Sequence, residues 1–244
     1  MNILVTPVAF NEHIKLKNAI DRFLSARSTM PFPLDYLVVD DGSTDGTTEM
    51  IESYQGRGVK TIKHPQRRGV GCAIRTAIMY AIEKKYDVLV IMAGNDKDNP
   101  QEIPRLIDPI FKKNFDLVQG SRYLGGGAIG GDMPFYRKIA TRLHPWLFSV
   151  LTGKKMTDTT NGFRAFKLSL FKDQRININQ EWLNCYELEP YLLFKSVKLG
   201  FKVGEAPVSK IYPSKKLGYT KTRPIVGWWS ILRPLFFLGL GIKK

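Results

Sequence analysis

Five short apolar runs, separated by helical patterns, constrain the fold of this chain more than any other feature. Ile3-Leu4-Val5, residues 36–39, residues 59–62, Val88-Leu89-Val90-Ile91-Met92 and residues 117–120 read as strands. Residues 14–24, 47–54, 71–84 and 100–112 read as helices, the last expected to break near Pro109. Strands alternating with helices predict an α/β domain: a mostly parallel central sheet with helices on both faces. A chain of 244 residues can bury such a core without disulfide or metal staples.

The second run ends abruptly, in Val38-Val39-Asp40-Asp41-Gly42-Ser43-Thr44-Asp45. Ligands of open parallel sheets bind where the strands end. Asp40 and Asp41 are therefore delivered to a binding crevice, and Ser43, Thr44 and Asp45 offer a cap for the helix that follows. Such carboxylates accept hydrogen bonds from base N–H groups or ribose hydroxyls. Glu12, after the first strand, is expected beside them.

The net charge is +15, from 37 Lys and Arg against 22 Asp and Glu, which directs the chain toward phosphate. Nucleic acid is not the expected partner, because no zinc ligands, helix-turn-helix pattern or RNA-binding aromatic motif is found. The charge is uneven: from Lys210 onward there are eight Lys and Arg and no acid, mixed with aromatics. That pattern suits an anionic membrane surface. Residues 224–242 form the most apolar tract, about the ~20 residues a spanning helix needs, but Arg233-Pro234 stands at its centre. A central Arg costs at least ~2.5 kcal/mol on insertion and Pro breaks helical hydrogen bonding. Two short interfacial helices with Arg233 at the water level are expected, with a docking membrane protein as the alternative partner of this tract. Cys72 and Cys185 are too few for a disulfide framework and are expected to be buried thiols. No basic flank or cleavage signal precedes the first strand, so a secretory signal is not expected.

The second half is less regular. Residues 124–131 contain five glycines and read as a mobile loop. Residues 136–151 and 182–199 read as helices, and 204–207 lead into an extended 208–212. The expected organisation is one domain over 1–223, with a nucleotide-binding half at 1–123 and an acceptor half at 124–223, followed by the tail at 224–244.

Several segments carry a family resemblance. Pro7-Val8-Ala9-Phe10-Asn11-Glu12 with Val38-Val39-Asp40-Asp41-Gly42-Ser43 resembles the opening of family 2 glycosyltransferases of the GT-A (Rossmann-like) fold. Gly120-Ser121-Arg122 resembles the family's Gly-Ser-Arg segment. Residues 156–166, with Asp158, Asn161, Gly162, Phe163 and Arg164, resemble the acceptor loop of the branch that includes dolichol-phosphate mannosyltransferase and bacterial polyprenyl-phosphate glycosyltransferases. The resemblance implies an inverting transfer from a GDP- or UDP-linked sugar to a polyprenyl phosphate, at the cytoplasmic face of the membrane. It implies that Pro7, Asn11, Glu12, Asp40, Asp41 and Arg68 bind the nucleotide, that Lys215 and Lys221 of a basic loop close over the diphosphate, and that Arg122 contacts phosphate. Arg67 and Arg75 lie around the same turn as Arg68 and could reach the nucleotide too. Asp158 would face the sugar or metal, Arg164 the acceptor phosphate, and Glu187, with Glu189 near it, the sugar hydroxyls.

One departure stands out. Where the family has Asp-x-Asp for Mg2+ or Mn2+, this chain has Ala93-Gly94-Asn95. Either Asn95, Asp96 and Asp98 hold the metal in a shifted arrangement, or Lys and Arg neutralise the diphosphate. Two rival functions follow: transfer to a saccharide hydroxyl, with Asp158 or Glu187 as base, and a non-catalytic nucleotide-sugar-binding or membrane-docking module.

Overall fold

The computed structural model describes residues 2–214 and 224–243, with side chains of the last helix described from 227. The five expected strands form, as β1 (Ile3–Ala9), β2 (Leu34–Asp40), β3 (Val59–Lys63), β4 (Val88–Ala93) and β5 (Leu117–Ser121). With β7 (Arg164–Lys167) and β8 (Val203–Pro207) they make a seven-stranded sheet in the order β3-β2-β1-β4-β7-β5-β8. All pairings are parallel except those of β7, which runs antiparallel to both neighbours. The α/β architecture read from the sequence is the one observed.

Successive residues of these strands feed two separate cores, as strand geometry requires. On one face, Leu4, Leu37, Val39, Leu89 and Ile91 share a core with Ala73, Ile74, Ala77, Ile78 and Ala81 of α3 (Val70–Glu83) and with Leu192 and Leu193 of α6 (Leu188–Lys198). On the other, Val5, Val38, Val88 and Val90 meet Leu16, Ile20 and Phe23 of α1 (His13–Arg27) and Leu106, Ile107 and Ile110 of α4 (Ile103–Lys113). Each fully buried aliphatic side chain contributes ~1.5–3 kcal/mol. That burial outweighs the single hydrogen bond lost at Pro109, so α4 continues through the expected break. Pro7 sits in a central strand, where the β1–β2 register runs from Val5↔Tyr36 to Val8↔Val39 and omits the pairs between. The missing N–H of Pro7 thus falls in a gap of the ladder. Its role is in the strand, and it is not among the residues around the cavity described below.

Several expectations about the second half are corrected. The glycine-rich segment is not a loop throughout: β6 (Ala128–Gly131) pairs in parallel with β9 (Ser209–Tyr212). Glycine is needed there for close approach, since a Cβ on Gly131 would lie 2.0 Å from the Tyr212 carbonyl oxygen. The helix expected from 182 begins only at Leu188, after a single 3-10 turn at Glu181–Leu183. The apolar tract is one helix, α7 (Pro224–Gly239), with Pro234 inside it. Arg233 is not at a water level of its own: it donates to the Trp182 carbonyl at 3.2 Å and pairs with the buried Glu187. Leu235 is fully buried, and Phe237 meets Trp182 at 5.7 Å, so α7 packs on the body of the protein. Cys72 is buried as expected, whereas Cys185 is exposed.

Among the described residues no helix is long and apolar enough to cross a membrane. Helix α5 (Phe135–Thr152) instead carries Phe135, Ile139, Leu143, Trp146 and Val150 outward, each more than half exposed. Their spacing places them in one stripe of the helix.

Candidate functional site

A cavity of about 280 Å3 opens at the C-terminal ends of β1, β4 and β5. Phe10, Asn95 and Arg122 reach it from the loops after these strands, and Gly69 and Val70 from the start of α3. Arg137 and Thr141 of α5, Glu189 of α6, and Trp228 and Ile231 of α7 close it from the other side. Its charged lining comprises Arg67, Lys97, Arg122, Arg137, Arg164 and Lys210 against Glu12, Asp41 and Glu189. Cations outnumber carboxylates two to one, the balance expected for a polyanionic ligand.

The acidic pair divides its work. Asp41 lines the cavity, but its carboxylate also fixes the loop before α3: it accepts from the backbone N–H of Arg68 and Gly69, each at 2.8 Å, and lies 2.8 Å from His64 Nδ1. Asp40 is turned away, contrary to expectation. It is fully buried and accepts from Ser43 N at 3.0 Å and the Thr48 hydroxyl at 2.6 Å, holding the turn and the start of α2 (Thr47–Glu52). Asn11 has the same kind of task. Its side chain accepts from Thr44 N at 2.8 Å and its own N–H donates to the Ser43 hydroxyl. Asp45 accepts from Thr47 N at 3.1 Å, but the N-cap position of α2 falls to Gly46 and not to Ser43, Thr44 or Asp45 as expected. The exposed Arg68 gives the site its backbone, while the Arg67 guanidinium faces the cavity and stacks 4.4 Å over Phe10. Arg75 does not reach the cavity either. It bonds the Ile178 and Gln180 carbonyls and the Asn184 side chain, strapping that segment to α3.

The acceptor-loop motif is likewise more structural than expected. Asp158 does not face a sugar: it is fully buried, and Arg122 clasps it through Nε at 2.6 Å and Nη2 at 2.8 Å. Burial pushes the Asp158 carboxyl up, but Arg122 outweighs it and holds the carboxyl below its usual range. Burial alone would lower the Arg122 guanidinium, and Asp158 reverses this and raises it. Arg164 lines the cavity while buried, donating to the Asn161 and Glu189 carbonyls at 2.6 and 3.1 Å and lying 3.4 Å from the Glu189 carboxylate. Glu187 was expected near the sugar hydroxyls, yet it points to Arg233 and accepts from Cys185 N. Glu189, two residues on, is the acid that lines the cavity, and its Oε1 is buried without a hydrogen-bond partner.

The shifted metal set does not assemble. Asp96 pairs with Arg22 of α1 at 2.7 Å, and Asp98 is buried between Lys210 Nζ at 2.7 Å and Ala93 N at 2.8 Å. Only Asn95 faces the cavity, with its Oδ1 buried and without a partner. Among the described residues no group of three or more His, Cys, Asp or Glu is placed to hold a metal ion. The residues present thus do not fit a divalent ion held by protein carboxylates. Lys97, from the same turn, lines the cavity, and burial, then the Lys210 and Arg137 charges, push its ammonium down to about 7. The expected loop residues Lys215 and Lys221, with Lys216 and Arg223, lie outside the described residues.

His144, to which the sequence reading gave no role, joins three elements. Its Nε2–H donates to the Ile231 carbonyl of α7 at 3.3 Å, so Nδ1 accepts from the Thr159 hydroxyl at 2.6 Å. Burial, against the Ile231 bond, pushes its pKa from 6.5 down to about 4. A folded-state pKa below the unfolded one contributes stability that is present above pH 6.5 and lost as pH falls toward 4. The loss is on the order of 3 kcal/mol. Urea midpoints of the wild type should fall through this window and those of His144→Gln much less; equal slopes would contradict the assignment.

Arg67 reaches the cavity as the sequence suggested, whereas Phe10, Lys97, Lys210, Arg137 and Trp228 were not singled out from the sequence as ligand-facing. Lys97 carried a signal, because it interrupts the segment where carboxylates were expected.

The family described as Glycosyl transferase family 2 matches residues 5–175 of the chain. The undecaprenyl-phosphate mannosyltransferase of Micrococcus luteus is 28% identical, covering 91% of this chain and 87% of that protein. The UDP-N-acetylglucosamine–dolichyl-phosphate N-acetylglucosaminyltransferase of Methanococcus voltae is also 28% identical, covering 98% and 96%. Among solved structures, glucosyl-3-phosphoglycerate synthase of Mycobacterium tuberculosis, in complex with Mn2+, UDP and phosphoglyceric acid, superposes with a TM-score of 0.71. It is 18% identical and covers 100% of this chain and 80% of its own.

Proposed function

Because the chain belongs to glycosyl transferase family 2, we propose that it moves a sugar from a nucleoside diphosphate sugar to a polyprenyl phosphate at a membrane surface. It is a glycosyltransferase of the GT-A fold, as the matched family and the superposed structure establish. Both relatives named above act, by their names, on a polyprenyl phosphate, and they differ in the sugar. The acceptor class therefore has support that the donor sugar lacks.

The observation that carries this reading is the double face of α5. Arg137 and Thr141 line the cation-rich cavity, while Ile139, Leu143 and Trp146 of the same helix stand exposed. Lys138 and Arg142 flank these apolar residues in a shallow groove that also takes in Ile129 of β6. Apolar side chains interleaved with cations suit an anionic lipid surface. A lipid phosphate lying there presents its head to the cavity. It is largely ionised near pH 7 and needs no general base. The reaction is then an in-line displacement with inversion, in which Asp41, Phe10 and Arg67 hold the nucleoside end and Arg122, Arg137 and Arg164 frame the phosphates. Catalysis rests on positioning and charge stabilisation. With a lipid acceptor on one side, the protein works as a peripheral membrane enzyme, its donor drawn from the cytoplasmic side.

The test is transfer to undecaprenyl phosphate in vesicles containing phosphatidylglycerol. A Leu143→Glu/Trp146→Glu variant should lose about tenfold or more of this transfer, given ~1.5–3 kcal/mol per buried apolar side chain. It should keep donor binding and transfer to a short, detergent-dispersed prenyl phosphate. Equal loss with both acceptors would remove the membrane from the reading. A second reading, transfer to a saccharide hydroxyl, takes Glu189 as the base, whose buried Oε1 lies 3.4 Å from Arg164 but accepts no hydrogen bond. Product from soluble sugars but none from lipid would favour it.

A further inference from the structure

We propose that Lys97 takes the place of a divalent cation at the donor diphosphate, so that nucleoside diphosphates bind this chain without metal. The inference rests on reading the cavity as a sugar-nucleotide site. At the end of β4 the two positions aligned with the metal-binding acids are a methyl group, Ala93, and an amide, Asn95. The nearest carboxylates are committed elsewhere. Asp98 is held by Lys210 Nζ and by Ala93 N, and Asp96 by Arg22 on α1. A cation reaching Asp98 would have to displace a buried ammonium.

Lys97 differs from three of the cations around it. Arg122 is matched by Asp158, Arg164 by Glu189 and Lys210 by Asp98. Lys97 has no carboxylate partner among the described residues; its ammonium lies 5.0 Å over the Tyr212 ring and lines the cavity. Its backbone is fixed, since its carbonyl accepts from Ile211 N at 2.9 Å and the next residue bridges to Lys210. Protonated, a lysine held this way is a point charge with three donors, suited to phosphate oxygens. The same charge, with Lys210 near it, repels a second cation. In the transfer step the bond from the anomeric carbon to the β-phosphate oxygen breaks, and its electron pair leaves with that oxygen. A bond from the anomeric carbon to an acceptor phosphate oxygen forms, and no proton moves. The diphosphate gains one negative charge, which Lys97 faces.

Calorimetric titration of the full chain with UDP and GDP, in EDTA and in Mn2+, tests this. Binding of at least one nucleotide in EDTA is expected, with Mn2+ changing Kd by less than about twofold. Lys97→Met should weaken that nucleotide about tenfold or more, the scale of a lost charge-assisted hydrogen bond, and weaken the matching monophosphate far less. Lys97→Arg should retain most of the affinity, and it carries the test if the Met variant melts early. Tightening by Mn2+ of tenfold or more that Asn95→Ala removes would overturn the proposal, as would undiminished binding by a folded Lys97→Met protein. Failure of both nucleotides under both conditions would instead sink the sugar-nucleotide reading, and this inference with it.

Discussion

Asp158→Asn is expected to lower the unfolding free energy by about 3–5 kcal/mol and to abolish sugar transfer. The carboxylate is fully buried, and Arg122 meets it with two nitrogens and its backbone N–H. Removing one charge strands the other inside the protein, where the desolvation cost of the guanidinium is no longer offset. Replacing both groups by apolar ones removes the stranded charge, so Arg122→Met/Asp158→Leu should recover part of the stability. It should recover no activity, because Arg122 lines the cavity and donates to the Tyr212 hydroxyl at 3.3 Å. Urea midpoints and transfer rates of the two variants and the wild type check this. A single variant no less stable than the double one would show that the pair is not coupled as described.

How much of this was legible in the sequence depends on how far apart the partners lie. The sheet was legible because each strand announces itself locally, as a short apolar run closed by turn residues. The acidic turn after β2 was legible for the same reason. What was not legible is which way a side chain turns when its partner is remote. Asp98 meets Lys210, which is 112 residues away, and Asp96 meets Arg22, 74 residues away. Nothing near either aspartate announces these pairs, so a metal set looked reasonable. Glu187 and Glu189 are two residues apart and indistinguishable by type. The first stands at the entry of α6 beside Arg233 and the second on the face toward the cavity. Only the docking of α7 separates them. Gly130 and Gly131 misled for a related reason. Local composition reads them as freedom, whereas a parallel partner strand about 80 residues later uses their missing side chains as space.

Gly71→Ala should show the same principle, by adding a methyl group where neighbouring backbone leaves no room. A Cβ at Gly71 would lie 2.0 Å from the Leu183 carbonyl oxygen and 2.5 Å from that of Cys185. Both obstacles are backbone, so no rotamer change relieves them. The segment cannot simply move away, because Cys72 N donates to the Asn184 carbonyl at 3.0 Å and Arg75 bonds the Asn184 side chain at 2.9 Å. Neighbouring Gly69, at a φ of 102°, is pressed on the Asn184 carbonyl in the same way. Overpacking of this kind costs about 3 kcal/mol, against a gain of about 1 kcal/mol from the helix preference of Ala over Gly. The turn at 183–185 also leads into Cys185 and Tyr186, which line the cavity beside Gly69. Displacing it should therefore weaken UDP or GDP binding together with stability. Gly56→Ala is the control: it is also a helical glycine, with nothing within 4 Å of the added carbon. It should melt no lower than the wild type. A Gly71→Ala protein that melts and binds nucleotide like that control would mean that the backbone of 183–185 does not rest on the start of α3, and that the cavity wall is built another way.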